Sequence, residues 1–477
     1  MATANESSAV TREWAMPHLS VEEHAARGKA ERAQIPRAAH GAWEARPYRP
    51  DPIALLEEQA KTRVPELVPI RWGRMLVSPF AFYRGAACVM ASDLAGTARS
   101  GLRAQLCGDA HLANFGVFGS PERRMVFDIN DFDETLPGPW DWDVKRLAAS
   151  VEVAGRDNGF SKSARSDIVL TTIRAYREAM RDFAALHHLD VWYASLDWEE
   201  TLVRFRSEVG RGRLSVTERN VAKARAKDSL QAYEKLTRVA DGRRRIVSEP
   251  PLIVPMDEFM GADREQLEQQ VREILRGYRG SLQDDRRHVL EGYNFADMAH
   301  KVVGVGSVGP RAWVILLIGR DDQDPLLLQA KQAQASVLER FLGKSEYPNS
   351  GQRVVAGQRM MQAASDIFLG WHRSKGADGI ERDFYVRQLR DWKFSAEIAE
   401  LDRVLLTTYA GLCGWTLARA HARSGDRIAI SAYLGKCDAF DKAIAEFAIA
   451  YADQTESDHQ ALAAAVQSGR IQAETGL

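Results

Sequence analysis

Cysteine is scarce. Cys88, Cys107, Cys413 and Cys437 are the four in 477 residues, and no two stand within four positions of each other. That excludes a zinc ribbon and a CxxC redox pair, argues against a disulfide framework and fits a reducing compartment. A charge excess is lacking too: 64 Lys and Arg against 65 Asp and Glu leave a net charge of −1, without the basic footprint of a nucleic-acid-binding domain. Long apolar runs are missing. The most apolar stretch, Val404 to Ala418, is broken by Thr407, Thr408, Gly411 and Gly414 and is shorter than a membrane span of about 20 apolar residues. The opening MATANESSAVTREWAMPHLS has no apolar core of the signal-peptide kind. No internal repeat or low-complexity tract occurs. What is there is an average globular mixture, 45% hydrophobic and 27% charged, which speaks against wholesale disorder, collagen and a coiled-coil rod. The chain reads as a soluble cytoplasmic protein with no nucleic-acid partner and no membrane span, built from roughly three domain-sized units.

The texture changes along the chain. Residues 1–65 read as a polar N-terminal arm, broken by Pro36, Pro47, Pro50 and Pro52. Residues 66–295 read as a large, mostly helical part, 296–394 as a small β-rich part, and 395–477 as C-terminal helices packing back on the large part. Leu102 to Cys107 and Arg124 to Ile129 are compact apolar runs ending in turn residues, and so short strands. After Pro139, Val144, Leu147, Ala148 and Val151 fall at i, i+3, i+4 and i+7, one face of a helix, with Asp141 or Asp143 as its N-cap. Ser215 to Glu218 has the capping-box form. Between Arg211 and Ile246, eleven basic residues face four acidic ones, which reads as a solvated helix face or as a surface for an anionic substrate. Trp313 to Ile318, Leu326 to Leu328 and Phe384 to Leu389 read as strands of a small sheet.

The densest chemistry lies in CGDAHLANFGVFGSPERRMVFDINDFDETLPGPWDWDVKRLAAS, residues 107–150. A tight loop after the first strand carries Asp109, His111 and Asn114. Asp131, Asp133 and Glu134 follow the next strand, so two polar loops meet at one end of a hairpin-like platform. Phosphoryl transfer needs such a set: a carboxylate to accept the proton of the attacking hydroxyl, and a second carboxylate with an amide oxygen to hold Mg²⁺ against phosphates. Asp109 as base, with Asn114 five residues on and Asp131 opening Asp-Phe-Asp, has the kinase spacing. Asp133 is a further metal-ligand candidate. His111 either orients the loop or touches substrate. Asp128 and Asp141 read as turn and helix caps. The Gly-Asp and His of a metal-dependent phosphohydrolase lack their partner motifs elsewhere.

A second constellation lies between residues 302 and 339. Gly304, Gly306, Ser307 and Gly309 belong to a G-x-G-x-x-G that is followed by Pro310 and a strand, not by the helix that a dinucleotide fingerprint requires. Strand, glycine-rich loop, strand is the phosphate-covering hairpin of kinases, and the next strand, PLLLQAK, ends on Lys331, where the phosphate-pairing lysine belongs. Glu339 is a candidate ion-pair partner for Lys331, and Gln388 sits on a candidate adenine-side strand.

These loops resemble the Gly-Asp-x-His-x-x-Asn and Asp-Phe-x-Asp loops of aminoglycoside and choline kinases. In those enzymes an acid twelve residues after the metal Asp starts a helix that braces the catalytic loop, and Asp143 is twelve after Asp131. The order is inverted, with the glycine loop and Lys331 after the catalytic loop. Gly414 to Ala422 resembles the helix that usually precedes that loop, so the resemblance implies a circular permutation. The runs PIRWGRMLVSPFAFYRGAA, LCGDAHLANFG, FDINDFDETLPGPWDWDVKRLAAS, VGVGSVG, LLLQAK, GQRVVAGQR and FYVRQLRDWK are similar to the bacterial family DUF2252 from about residue 45 to 460. Gln332 departs from the Glu expected after the lysine. Arg71, Arg74 and Arg84 either line the site for an anionic group or bind backbone carbonyls. The resemblance implies an α+β, protein-kinase-like two-lobed fold, circularly permuted, with a helical large lobe and a small antiparallel β lobe. It also implies an ATP- and Mg²⁺- (or Mn²⁺-) dependent phosphotransferase acting on an unidentified hydroxyl acceptor, small molecule or protein. The alternatives are AMP transfer on the same fold and a non-catalytic nucleotide-binding regulator.

Overall fold

The computed structural model describes residues 19–205, 229–240, 243–256, 258, 264–302, 304, 308–376, 378–389 and 392–476. The chain is α+β, and every strand pairing among these residues is antiparallel. The strands are β1 (Arg103–Leu106), β2 (Phe115–Gly119), β3 (Met125–Ile129), β4 (Leu136–Pro139), β5 (Leu196–Asp197), β6 (Thr237–Ala240), β7 (Arg243–Ile246), β8 (Ile253–Pro255), β9 (Asn294–Lys301), β10 (Ala312–Ile318), β11 (Pro325–Ala333), β12 (Gly370–Lys375) and β13 (Glu381–Gln388).

The first four strands do not form a simple hairpin. β1 pairs with β4, and β2 with β3. The connections β1–β2 and β3–β4 therefore meet where the two ladders end, and Asn130 N donates to Asn114 O at 2.8 Å across that junction. Helix Trp140–Asp157 follows β4 without a side-chain cap. Asp141 and Asp143, expected as N-cap candidates, lie inside its first turn because Pro139 ends the strand and the helix begins at the next residue. Helices Lys162–Ala185 and Arg403–Ser424 pack on it around one core that holds Trp140, Leu147, Ile173 and Leu417. Gly414 lets the last two approach: a Cβ there would stand 2.3 Å from Thr172 O, so any side chain would push the helices apart. Asp402 caps the second of these helices, accepting from Leu405 N at 3.0 Å.

The other sheet has six strands in the order β12-β13-β11-β10-β9-β8. Strand residues alternate between its faces. Trp313, Ile315 and Leu328 pack under helices Arg264–Arg279 and Asp284–Glu291. Val314, Leu316 and Leu327 pack under Tyr233, Leu236 and Ile246 of helix Ser229–Leu236 and β7. The described residues between 229 and 295, expected with the large helical part, thus belong to this sheet's surroundings, and β8 is one of its edge strands. Ser215 to Glu218 and most of the basic run 211–246 lie outside the described residues; the described part of that run forms helix Ser229–Leu236 and the β6–β7 hairpin. The N-terminal arm is stitched down. Helix Val21–Gln34 lies along helix Arg427–Leu434, and Arg49 binds both Asp93 and Asp458 at 2.6–2.9 Å. Among the described residues no cysteine is in a disulfide, and no helix is long and apolar enough to cross a membrane.

Candidate active site

The β1–β2 loop is built around Gly108. Its φ of +82° is a left-handed conformation, and a Cβ would stand 2.3 Å from Glu134 O. Asp143 then anchors the loop, accepting from Cys107 N at 2.8 Å and Gly108 N at 3.1 Å. Tyr409 OH holds the loop's far end through the carbonyls of Leu112 and Phe115 at 2.9 and 3.0 Å. Substituting Ala for Gly108 is expected to lower stability by about 1–2 kcal/mol from the backbone conformation alone, with a further loss from the contact with Glu134. A thermal melt reads this directly, and a wild-type melting temperature would show that the loop is not fixed in this conformation.

The loop presents Asp109 into a cleft of about 420 Å³. Arg146 grips Asp109 Oδ1 through Nε and Nη2, both at 2.6 Å, and leaves Oδ2 outside that grip. Burial pushes the Asp109 carboxyl up to about 6, with Arg146 pulling the other way. His111 Nε2 lies 3.8 Å from that Oδ2. Burial, aided by Arg84 and Arg146, holds the imidazole well below its ordinary value, so it is neutral at pH 7. Asn114 Nδ2 donates to Asp109 O at 2.7 Å, which turns the amide oxygen the other way. All three line the cleft.

The β3–β4 loop supplies the second acidic group. Asp131 Oδ1 accepts from Asp133 N at 3.1 Å. Lys331, on β11, reaches this loop although 198 residues separate it from Asp133: its ammonium lies 2.7 Å from Asp133 Oδ2 and 3.8 Å from Asp131 Oδ2. Burial alone would lower the lysine, but the two acids outweigh it and hold it above its ordinary value. Asp133 also accepts from Tyr385 OH at 2.6 Å. Burial would raise its carboxyl; Lys331, Tyr385 and Arg387 together hold it below the usual range. Glu134, also in the cleft, is pushed up to about 7 by burial.

The expected partner of Lys331 is corrected. Glu339 Oε1 lies 3.8 Å from Arg353 Nε and accepts from Ser336 N at 3.1 Å. It stands on a single helical turn, Glu339–Leu342, while Asp133 and Asp131 take the ammonium. Gln388 is also displaced. Lys331 pairs in register with Tyr385 and Leu328 with Gln388, so Gln388 falls on the opposite face of the sheet from Lys331. It lines a separate cavity of about 330 Å³, and its N–H binds Asp366. Of the glycine loop, Gly304 and Pro310 line the cleft. Gly304 and Gly309 have φ of +69° and +106°, Arg74 donates to Gly304 O, and Val64 N donates to Gly309 O at 2.9 Å. Gly306 and Ser307 lie outside the described residues.

Several residues that organise the cleft were not anticipated. Arg353, buried in helix Ser350–Met361, donates to the carbonyls of Asp133, Thr135 and Gln334 at 2.6–2.8 Å and ties the acidic loop to the end of β11. Its signal was the run GQRVVAGQR. Arg146 had none: it stands beside Lys145 on a helix that also carries Asp141, Asp143, Glu152 and Arg156. Asp128, expected as a cap, is one half of a buried pair with Arg419, at 2.6 Å. His421, on the same helix, lies 3.4 Å from Asp143.

A family model described as "Uncharacterized protein conserved in bacteria (DUF2252)" matches residues 63–465. The chain belongs to the DUF2252 family. The family match takes in both acidic loops, the glycine loop and Lys331. No curated protein and no solved structure matches the chain.

Proposed function

We propose that this DUF2252 protein is an ATP- and Mg²⁺-dependent phosphotransferase, a circularly permuted relative of the kinases, acting on a hydroxyl acceptor. The observation that carries the reading is the convergence of Lys331 with Asp131 at 3.8 Å, in a cleft shared with Asp109, Asn114 and Gly304. The sheet with β9, β10 and β11 would be the small lobe, and the helices around Trp140–Asp157 the large one.

The donor set fits a hard divalent cation. Asp131 and the Asn114 amide oxygen are hard oxygen ligands, and Mg²⁺ takes one or two carboxylates with phosphates and water completing its shell. Among the described residues no group of three or more His, Cys, Asp and Glu is gathered for a metal, which fits a cation shared with substrate better than an all-protein cage. When bound, the cation would draw charge from the phosphate oxygens.

The chain's own groups do the rest. Asp109 takes the proton of the acceptor hydroxyl at Oδ2 as the acceptor oxygen bonds to the γ-phosphorus and the bond to the β–γ bridging oxygen breaks. Arg146 fixes the carboxylate, and a value near 6 leaves it ionised at neutral pH yet basic enough to accept a proton. Lys331 exchanges its acids for phosphate oxygens. The neutral His111 stands beside Oδ2, at 3.8 Å.

Mass spectrometry of candidate acceptors after incubation with ATP and Mg²⁺ tests the reading. A gain of phosphate supports it, and a gain of AMP replaces it with nucleotidyl transfer. In calorimetry, MgATP is expected to bind more tightly than ATP without metal, and Asp131→Ala to remove most of that difference. Equal metal dependence in both proteins would make Asp131 a structural turn residue.

A further inference from the structure

On the face of the six-stranded sheet opposite Lys331 lies a cavity of about 310 Å³. Its floor is a row of apolar side chains from adjoining strands. Met298 of β9 stands opposite Ile315 of β10, and Trp313, Ala330 and Val386 run in register across β10, β11 and β13. Its roof is helix Arg264–Arg279, through Ile274, Leu275 and Tyr278. Tyr278 OH donates to Phe368 O, so the polar end of that ring is satisfied away from any guest. The helix comes close to β12, where a Cβ on Gly277 would stand 2.1 Å from His372 Cε1. Over the middle of the sheet a gap stays open, because Ala330 offers only a methyl group between Trp313 and Val386.

The polar lining is Arg311 and the β12–β13 hairpin around Lys375, Asp378 and Arg382, and its charges balance. Arg382 takes Asp378 through two hydrogen bonds, and Arg311 stands 3.8 Å from the same carboxylate. Lys375 lies opposite Glu381 in the ladder, and Glu66 acts on Arg311 from further away. Burial holds His372 below its ordinary value, so it is uncharged at pH 7. Recognition therefore falls to the apolar walls. Protein interiors hold few voids larger than a water molecule, and an unfilled apolar void loses dispersion contacts on every wall. An engineered cavity of about 150 Å³ stays dry and takes benzene. Met256 and Met298, with Ile274 and Leu275, give this cavity walls that re-pack around a flexible guest.

We propose that the cavity binds an aliphatic chain of roughly ten to twelve carbons, twice what the benzene-sized cavity holds. Ala330 and Val386 adjoin Lys331 and Tyr385 in sequence, and strand residues alternate in direction. The chain thus lies against the back of the two strands whose front carries the lysine and the tyrosine that meet Asp133.

Calorimetry on the full chain with 1-decanol, 1-nonanol and 1-octanol, each below its solubility limit, tests the site. Wild type is expected to bind decanol saturably, and each methylene removed to weaken binding by about fourfold, the worth of one buried methylene. Ala330→Leu puts a side chain where the guest lies, so decanol should bind it about tenfold more weakly or worse, while its melting temperature without ligand stays at or above that of wild type. Ile274→Trp fills the same space from the helix, so a folding defect in one variant, read as a lowered melting temperature, leaves the other to decide. Decanoate is expected to bind within about tenfold of decanol, because the charges around the cavity balance. Absence of saturable decanol binding to wild type overturns the proposal. So does undiminished binding in a folded Ala330→Leu or Ile274→Trp protein, which would place the chain elsewhere. Equal affinities for octanol and decanol would show that the walls do not grip the chain, and binding of decanoate without decanol would place recognition in Arg311 and its neighbours; either result also overturns it.

Discussion

Replacing Asp109 by Asn is expected to lower turnover by about 10²- to 10⁴-fold, the usual worth of a general base. MgATP affinity should change little, because the lost interaction is made only as the proton moves. The substitution keeps the side-chain shape and an oxygen for Arg146, which now holds Oδ1 at 2.6 Å, and it removes the basic Oδ2. The pH profile separates the base from a merely structural acid. Burial places the carboxyl near 6. The base is competent when ionised, so wild-type turnover should be flat above that value and fall as pH drops through it. Asp109→Asn should lose this acid limb together with the rate. If the limb persists in the variant, another group titrates there, and the buried Glu134, near 7 in the same cleft, becomes the candidate.

The parts of the fold legible in the sequence are those with a local pattern. β1, β3, β10, β11 and β13 follow apolar runs, and helix Trp140–Asp157 follows its i, i+3, i+4, i+7 spacing. The pairing was not legible. β4 is Leu-Pro-Gly-Pro, a composition that argues against a strand, yet it pairs with β1 along its whole length. β2 begins directly after Asn114, and the polar loop masks its start. Without β2 and β4 the two acidic loops can be placed near each other only as the ends of a hairpin that does not exist.

The same limit governs the site. Asp109, Asn114 and Asp131 lie close enough in sequence for spacing to express their chemistry. The partner of Lys331 does not: local sequence points to the helix that follows, eight residues away at Glu339, and the partner stands 198 residues earlier at Asp133. Local patterns also missed β7 and the packing of helix Ser229–Leu236, whose Tyr233 and Leu236 join Ile246 of β7 on the sheet face of Leu327. Burial of that face by a distant segment leaves no periodic trace.

Replacing Lys331 by Met is expected to abolish most nucleotide-dependent activity, by about 10²-fold or more as for other preorganised charges on a reacting group, and to destabilise the unliganded protein. Lys331 is 4% exposed, and the acids it faces, Asp131 and Asp133, are 28% and 30% exposed. Methionine keeps the apolar stem but leaves both carboxylates without their cation. Breaking a fully buried pair costs about 3–5 kcal/mol; water on the two carboxylates reduces the expected loss to roughly 1–2 kcal/mol. The sign of the pH dependence follows from Asp133. In wild type its carboxyl lies below the usual range although burial opposes this, so the pair adds stability above the ordinary carboxylate range and loses it as pH falls through the folded value. In Lys331→Met only burial and the remaining neighbours act, the carboxyl moves up, and it protonates earlier. The melting-temperature deficit of the variant should therefore be largest near neutral pH and shrink as Asp133 protonates. Adding Asp133→Asn to Lys331→Met removes the nearer of the two uncompensated charges and should recover part of the deficit at pH 7 without recovering turnover. MgATP should raise the wild-type melting temperature more than that of either variant, since a ligand stabilises by RT ln(1 + [L]/Kd). A Lys331→Met protein with the wild-type MgATP shift would remove Lys331 from the nucleotide site and reduce its pairing with Asp133 to a structural link between β11 and the acidic loop.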